Sequence, residues 1–153
     1  MNTAMSIQKQ KIDNLFLLIR DIEDEEIHAH WAKYLCVLIS GFIENSLRIS
    51  ITEYVQDKSH PNISQYINTN IQRVTNLNTN KISNLLSSFN EEWKKTFITC
   101  TSEEERDAIN TIVANRHIIA HGKDVGLTLT ALKIHYEKVV SAVEKICFNC
   151  IVI

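Results

Sequence analysis

The sequence predicts an all-α protein, a helical bundle of four main helices plus one short helix. Three observations favour this fold class. Apolar residues recur at helical spacing along most of the chain. The 153 residues include only three glycines and one proline, too few for a sheet-rich fold with many tight turns. Polar connectors separate the periodic segments, and the length suits a single domain over residues 1–153 with a sizeable core.

The first two helices are predicted over residues 6–26 and 27–57. In the first, Ile12, Phe16 and Ile19 fall on one face. The second is apolar almost all round in its first half, which is typical of a central, buried helix. Gly41 within it costs about 1 kcal/mol relative to alanine, so we expect a neighbouring helix to approach closely there.

A short third helix and a longer fourth helix follow. Pro61 in "DKSHPNIS" ends the second helix, and a short helix is predicted over residues 64–74. The connector "TNLNTN" is polar and rich in Asn and Thr. The fourth helix is predicted over residues 81–97, with its apolar side chains on one side.

Terminal signals define the last two helices. Ser102 and Glu105 fit the capping-box pattern, and the acidic first turn of this fifth helix suits the helix dipole. Gly122 is the natural residue to end it in a left-handed conformation. The last helix begins near Thr128 and carries a long apolar stripe.

Composition and charge limit the possible functions. The formal net charge is −2, so no global basic field indicates a nucleic-acid binder. A polyanion site would have to be local, or be formed by two chains together. The N-terminus lacks the apolar run of a signal peptide, and no window approaches the length of a membrane span. We therefore expect a cytoplasmic protein with no membrane association, whose four cysteines are reduced.

Arg116 interrupts the apolar stripe of the fifth helix. In "ANRHIIAHGKD" it lies four residues after Ile112 and three before Ile119, at the centre of that stripe. A buried guanidinium without a partner would be very costly. Arg116 therefore either has an acidic partner inside the bundle, for which Glu44 is a candidate, or faces a cleft where a positive charge is used.

His121 adds a group suited to proton transfer at the end of the same helix. An ideal helix sets Arg116 and His121 about 140° apart, but a loosened last turn can bring both to one cleft. Histidine titrates near neutrality, and arginine binds phosphate through its fork of donors. Together they can cleave a phosphodiester without a metal ion or other cofactor.

The segment "RHIIAH" resembles the Arg-polar-x-x-x-His motif of HEPN domains. "YLCVLISGFIENSLRISITEYV" is similar to the second helix of the RiboL-PSP branch, and "LTLTALKIHYEKVVSAVEKI" to its last helix. The resemblance implies a HEPN-like bundle and a ribonuclease acting on RNA as a toxin or antiviral effector. It also implies a homodimer whose two motifs form one composite cleft, and a neutralising antitoxin or defence partner protein. Its catalytic pair would be Arg116 and His121. Its accessory or substrate-binding residues would be His117, Glu44, Asn45 and Lys123.

Three other interpretations compete with the ribonuclease. One is a non-catalytic HEPN module that binds a nucleotide, RNA or a partner protein, and another is a helical adaptor with Arg116 in an internal ion pair. A zinc site from Cys147, Cys150, His117 and His121 is conceivable. The cysteines lie among apolar residues, however, where they serve as small apolar groups, so no metal site is expected.

Overall fold

A computed structural model of the chain describes residues 2–151. These residues form seven α-helices and a terminal π-helical turn and contain no strand: α1 (Thr3–Ile19), α2 (Glu25–Lys58), α3 (Pro61–Ile71), α4 (Thr79–Phe89), α5 (Glu91–Cys100), α6 (Glu103–Ala120), α7 (Leu129–Lys145) and the π-turn (Ile146–Cys150). The all-α prediction is confirmed, and the bundle is divided into more helices than the sequence pattern indicated.

The long helix α2 forms the centre of the bundle, as predicted. It packs against α1, α3, α6, α7 and the π-turn. Side chains such as Leu35, Ile39 and Phe42 are fully buried. The close approach expected at Gly41 is wrong, because a Cβ built there would meet no atom within 4 Å. The glycine lies on an open face of the helix.

The central position of α2 also explains its hydropathy. Contrary to the sequence expectation, this helix is long and apolar enough to cross a membrane by length and composition, with a mean hydropathy of 1.3 over the best window. That window is 56% buried inside the bundle. The apolar side chains of α2 therefore have protein neighbours, as in the core helix of a soluble domain.

The first helix boundary differs from the prediction because an acidic residue caps α2. Helix α1 ends at Ile19, and Asp24 caps the N-terminus of α2 by accepting hydrogen bonds from the amides of Glu26 and Ile27. Asp24, Glu25 and Glu26 thus lie at the start of the second helix, although the prediction placed them at the end of the first. Negative charge in a first turn is stabilising there.

The predicted fourth helix is two helices, broken at Asn90. The backbone of Asn90 is extended (φ −161°, ψ 126°), and its side chain caps α5 through the amide of Glu92. Phe89 and Trp93 stack across the break with ring centroids 5.6 Å apart. The apolar stripe therefore continues through the interruption, so its periodicity did not reveal the break.

The predicted capping box at the start of α6 is present and extends into α7. The carboxylate of Glu105 accepts from the amide of Ser102 (2.8 Å), the hydroxyl of Ser141 (2.6 Å) and the ammonium of Lys145 (2.7 Å). Burial alone would raise the pKa of this carboxyl, but the hydrogen bonds from Lys145, Ser141 and Ser102 hold that pKa below its usual value. Glu105 thus links α6 to α7, the two helices on either side of the loop at residues 121–128.

Candidate functional site

The motif lies at the C-terminal end of α6, which closes with a well-defined backbone cap. Gly122 has φ 71°, as the sequence predicted. Its amide donates to the carbonyl of Ile119, and the amide of Lys123 donates to the carbonyl of Ile118. This is the Schellman arrangement. His121 is consequently the cap residue, and Lys123 starts the exposed loop that leads to α7.

Arg116 is half-buried and bonds to a neutral partner. Its Nη1 donates to Oδ1 of Asn76 at 2.8 Å. Among residues 2–151, no carboxylate lies within 4 Å of this guanidinium. The internal ion pair with Glu44 is therefore wrong, because Glu44 instead pairs with Arg48 at 3.5 Å. No carboxylate among the described residues therefore compensates the charge of Arg116.

Asn76 connects Arg116 to α2. The residue belongs to the connector between α3 and α4 and has φ 54°, a left-handed conformation that asparagine tolerates better than most residues. Its backbone amide donates to Oε1 of Glu44 at 2.7 Å. Glu44 therefore fixes the backbone of the residue that positions Arg116. Asn76 was not predicted as a site residue, although it belongs to the polar segment "NLNTN" that the sequence marks as a connector.

Asn45 and Arg48 lie on α2 near the hydrogen bond between Glu44 and Asn76. Arg48 donates to the carbonyl of Val74 at 2.6 Å and to Oδ1 of Asn45 at 3.4 Å. The amide of Asn45 also reaches Gln8 of α1 at 3.5 Å. Asn45 thus lies beside α1, one position away from Glu44, which contacts the connector.

The two motif histidines contact each other. The rings of His117 and His121 meet edge to face with centroids 4.6 Å apart. Both side chains are exposed, one turn apart on the same face of α6. Within one chain, His121 packs against His117 while Arg116 bonds to Asn76. The structure therefore brings the imidazoles of His117 and His121 together at the C-terminal end of α6. Arg116 comes directly before His117 in the sequence.

The loop after the motif is attached to the start of α2. Asp124 forms an ion pair with Lys33 of α2, and this ammonium lowers the pKa of the exposed carboxyl through a hydrogen bond and its charge. Lys123 is exposed and free of salt bridges to other described residues. Lys123 thus lies in the exposed loop, two residues after His121 in the sequence.

A surface cleft of about 720 Å³ extends from His117 along α6 to the start of α4. Its apolar wall includes Val113 and Ile118. The remaining lining is rich in amides, which come from both helices and from the connector: Asn76, Asn78, Asn80 and Asn110. This cleft was not predicted from the sequence, because the cleft forms only when the connector folds against α6.

The conceivable zinc site is not assembled. Within the described part of the chain, no three His, Cys, Asp or Glu side chains are grouped to hold a metal ion. The Cys147 thiol lies within 3.8 Å of the carbonyl of Ser46 on α2, and burial raises its pKa to about 11. Cys150 is buried in the π-turn. These thiols pack in the interior, while His117 and His121 lie on the surface.

Comparison with known proteins identifies the family. The family model described as RiboL-PSP-HEPN matches residues 5–147, nearly the whole chain. No curated protein and no solved structure matches the sequence. The matched span runs from α1 into the π-turn and contains the paired histidines, Arg116 and the cleft beside them. The chain therefore belongs to the RiboL-PSP-HEPN family.

Proposed function

We propose that this protein is a metal-independent RNA endonuclease. The observation that carries the proposal is the exposed pair His117 and His121, in ring contact at the end of α6, directly after Arg116, whose guanidinium bonds to a neutral amide. Exposed imidazoles suit proton transfer to and from a polymer substrate. A guanidinium bonded only to a neutral amide retains donors for a phosphate. The amide-rich cleft, which His117 lines, gives the substrate a place to bind beside that histidine.

The chemistry follows from the groups present. His121 removes the proton from a ribose 2′-hydroxyl, and the 2′-oxygen attacks the adjacent phosphorus. The bond from phosphorus to the 5′-oxygen breaks, and the leaving oxygen takes a proton from the second imidazole, that of His117. Arg116 stabilises the negative charge that develops on the phosphoryl oxygens. The products end in a 2′,3′-cyclic phosphate and a 5′-hydroxyl.

A homodimer would complete this site. The open face of α2 at Gly41 and the exposed end of α6 leave room for a second copy. A two-fold contact through these surfaces would put two Arg116 and two His121 side chains into one cleft. It would also double the local positive charge in a chain of net charge −2. Sedimentation at micromolar concentration should give twice the chain mass, and a monomer in the presence of RNA would contradict the composite cleft.

The biological setting that we propose is a cytoplasmic toxin or antiviral effector controlled by a neutralising antitoxin or defence partner. The rival is a non-catalytic HEPN module that binds nucleotide, RNA or protein through the same cleft. The intact Arg116 and His121 favour catalysis, because binding alone does not require an imidazole at a helix end. Cleavage of RNA by the purified protein separates the two interpretations.

The decisive experiment incubates the purified protein with end-labelled RNA in the presence of a chelator. Arg116→Ala and His121→Ala should each lose cleavage while keeping the helical circular dichroism of the wild type. Arg20→Ala removes an exposed arginine at the end of α1, and His60→Asn removes a histidine while keeping a residue that caps α3. Both controls should cleave normally.

Analysis of the products tests the mechanism. A substrate with one deoxyribose at the cut site should resist cleavage, because the attacking 2′-hydroxyl is missing. Cleavage that requires added magnesium or zinc, or equal cleavage of the deoxy-substituted strand, would refute the proposed chemistry. RNA binding without any cleavage would instead favour the non-catalytic module.

A further inference from the structure

The amide-rich cleft beside His117 is defined by three asparagines whose side chains cannot flip. Oδ1 of Asn78 accepts from the backbone amide of Lys81 at 2.9 Å. Oδ1 of Asn110 accepts from the backbone amide of Thr79 at 3.0 Å. Oδ1 of Asn76 accepts from the guanidinium of Arg116 at 2.8 Å. A backbone amide and a guanidinium only donate, so each of these side-chain positions must be an oxygen.

The fixed oxygens leave three amino groups for a ligand. The Nδ2 atoms of Asn76, Asn78 and Asn110 donate to no acceptor among the described residues. Lys81 and His117 add further donors to the lining. None of the described lining residues carries a carboxylate, and Asn80 is the lining amide whose oxygen is uncommitted. The cleft therefore presents mainly donors to whatever enters it.

The shape of the cleft suits a nucleotide. Its volume of about 720 Å³ is within the range of small-molecule sites, about 300–1,000 Å³. Val113 and Ile118 provide an apolar wall against which the face of a base can pack. The cleft also reaches His117, so a base bound there would place its own sugar and phosphate near the two histidines.

We propose that this cleft is a base-recognition site that selects keto bases, uracil and guanine, next to the cut phosphate. The inference rests on the proposed ribonuclease function. An asparagine pairs with adenine through both its oxygen and its amino group, and here each oxygen is held by a donor of the protein, so it is not free to take the position that this two-bond pair requires. Uracil O4 and guanine O6 are acceptors, whereas the amino group at the corresponding position of cytosine or adenine is a donor. Two donors facing each other cannot bond, so cytosine and adenine are disfavoured.

The test uses binding and cleavage as separate readouts. In the cleavage-deficient His121→Ala protein, a fluorescein-labelled ten-nucleotide oligouridine should bind more tightly than oligocytidine by about tenfold, the discrimination of one good base contact. The two bases differ at position 4, which is a carbonyl in uracil and an amino group in cytosine, and at N3, which donates in uracil and accepts in cytosine. An abasic strand of equal length measures the contribution of the phosphates alone.

Two substitutions reverse the donors without disturbing the fold. Asn110→Asp keeps an oxygen for the amide of Thr79, and Asn78→Asp keeps a good helix cap. Each replaces a free amino group with an acceptor. The added charge should weaken all strands alike, whereas the proposal predicts that the ratio of uridine to cytidine affinity falls toward one. Asn84→Asp adds the same charge on the exposed surface of α4, outside the cleft lining, and should leave that ratio nearly unchanged.

The outcomes separate this inference from the ribonuclease proposal. A preference for uridine without any cleavage would support the base site and refute the ribonuclease. Cleavage with equal affinity for the two oligonucleotides would refute the base site alone. Equal affinity for the abasic strand would show that the amino groups bind phosphate, which also overturns the inference.

Discussion

Asn76 can be altered so that its backbone and side-chain contributions are measured separately. Its backbone has φ 54°, and its side chain accepts the hydrogen bond from Arg116. Alanine loses that bond and strains the left-handed backbone by roughly 1–2 kcal/mol. Glycine loses the same bond without the strain, although it gains about 0.4–1 kcal/mol of unfolded-state entropy. We expect Asn76→Gly to be more stable than Asn76→Ala by about 1 kcal/mol, or roughly 2–4 °C in Tm.

The two variants should nevertheless lose RNA cleavage equally. Both leave Arg116 without its partner, and a misplaced catalytic group costs activity by about tenfold or more. Urea unfolding followed by circular dichroism gives the stabilities, and initial rates on end-labelled RNA give the activities. If Asn76→Gly cleaved like the wild type while Asn76→Ala did not, the backbone of the connector, and not the bond to Arg116, would be what matters.

Three further predictions concern the fold. Glu105→Gln should reduce stability by about 2 kcal/mol at pH 7 through lost charge-assisted hydrogen bonds. Because the folded pKa of Glu105 is lowered, its contribution is complete above the unfolded value of about 4.3 and is lost as the pH falls through the folded pKa. In urea unfolding, the difference in stability between the wild type and the variant should therefore narrow as the pH is lowered below that unfolded value. Gly122→Ala should lower the free energy of unfolding by about 1 kcal/mol from backbone strain alone, since no atom obstructs a Cβ there. Gly126→Ala should cause no such loss when both variants are unfolded in urea. Burial raises the pKa of Cys36 to about 12 and that of Cys147 to about 11, so mass spectrometry should find both alkylated by iodoacetamide far more slowly in the native protein than in urea.

The features that were predictable from the sequence are those set by a few neighbouring residues. The Ser102 and Glu105 capping box and the left-handed Gly122 follow from local hydrogen bonding and backbone sterics, and both are present. The buried α2 follows from its nearly continuous apolar surface. By contrast, the break at Asn90 was invisible, because Phe89 and Trp93 continue one stripe across it.

The candidate site was predictable only in part, for a related reason. Arg116 and the histidines stand out because charged and titratable groups interrupt an apolar helix. Their partners depend on how a distant connector returns to α6, and periodicity contains no information about that path. Asn76 therefore replaced Glu44 as the neighbour of Arg116, and Asn110 became part of a cleft that no local pattern indicated.

The order in which the ribosome makes these elements gives the Asn76 contact a further meaning. The connector that holds Arg116 is synthesised well before α6, so the anchor already exists when the arginine appears. Helix α7, which packs along α6 and bonds to Glu105, is made only after the motif. A nascent chain would therefore present the histidines on a helix that packs against α2 but still lacks its neighbour α7, until residues 129–145 had left the ribosome. If the protein is the ribonuclease that we propose, full support of its site would come only after the whole motif had been made.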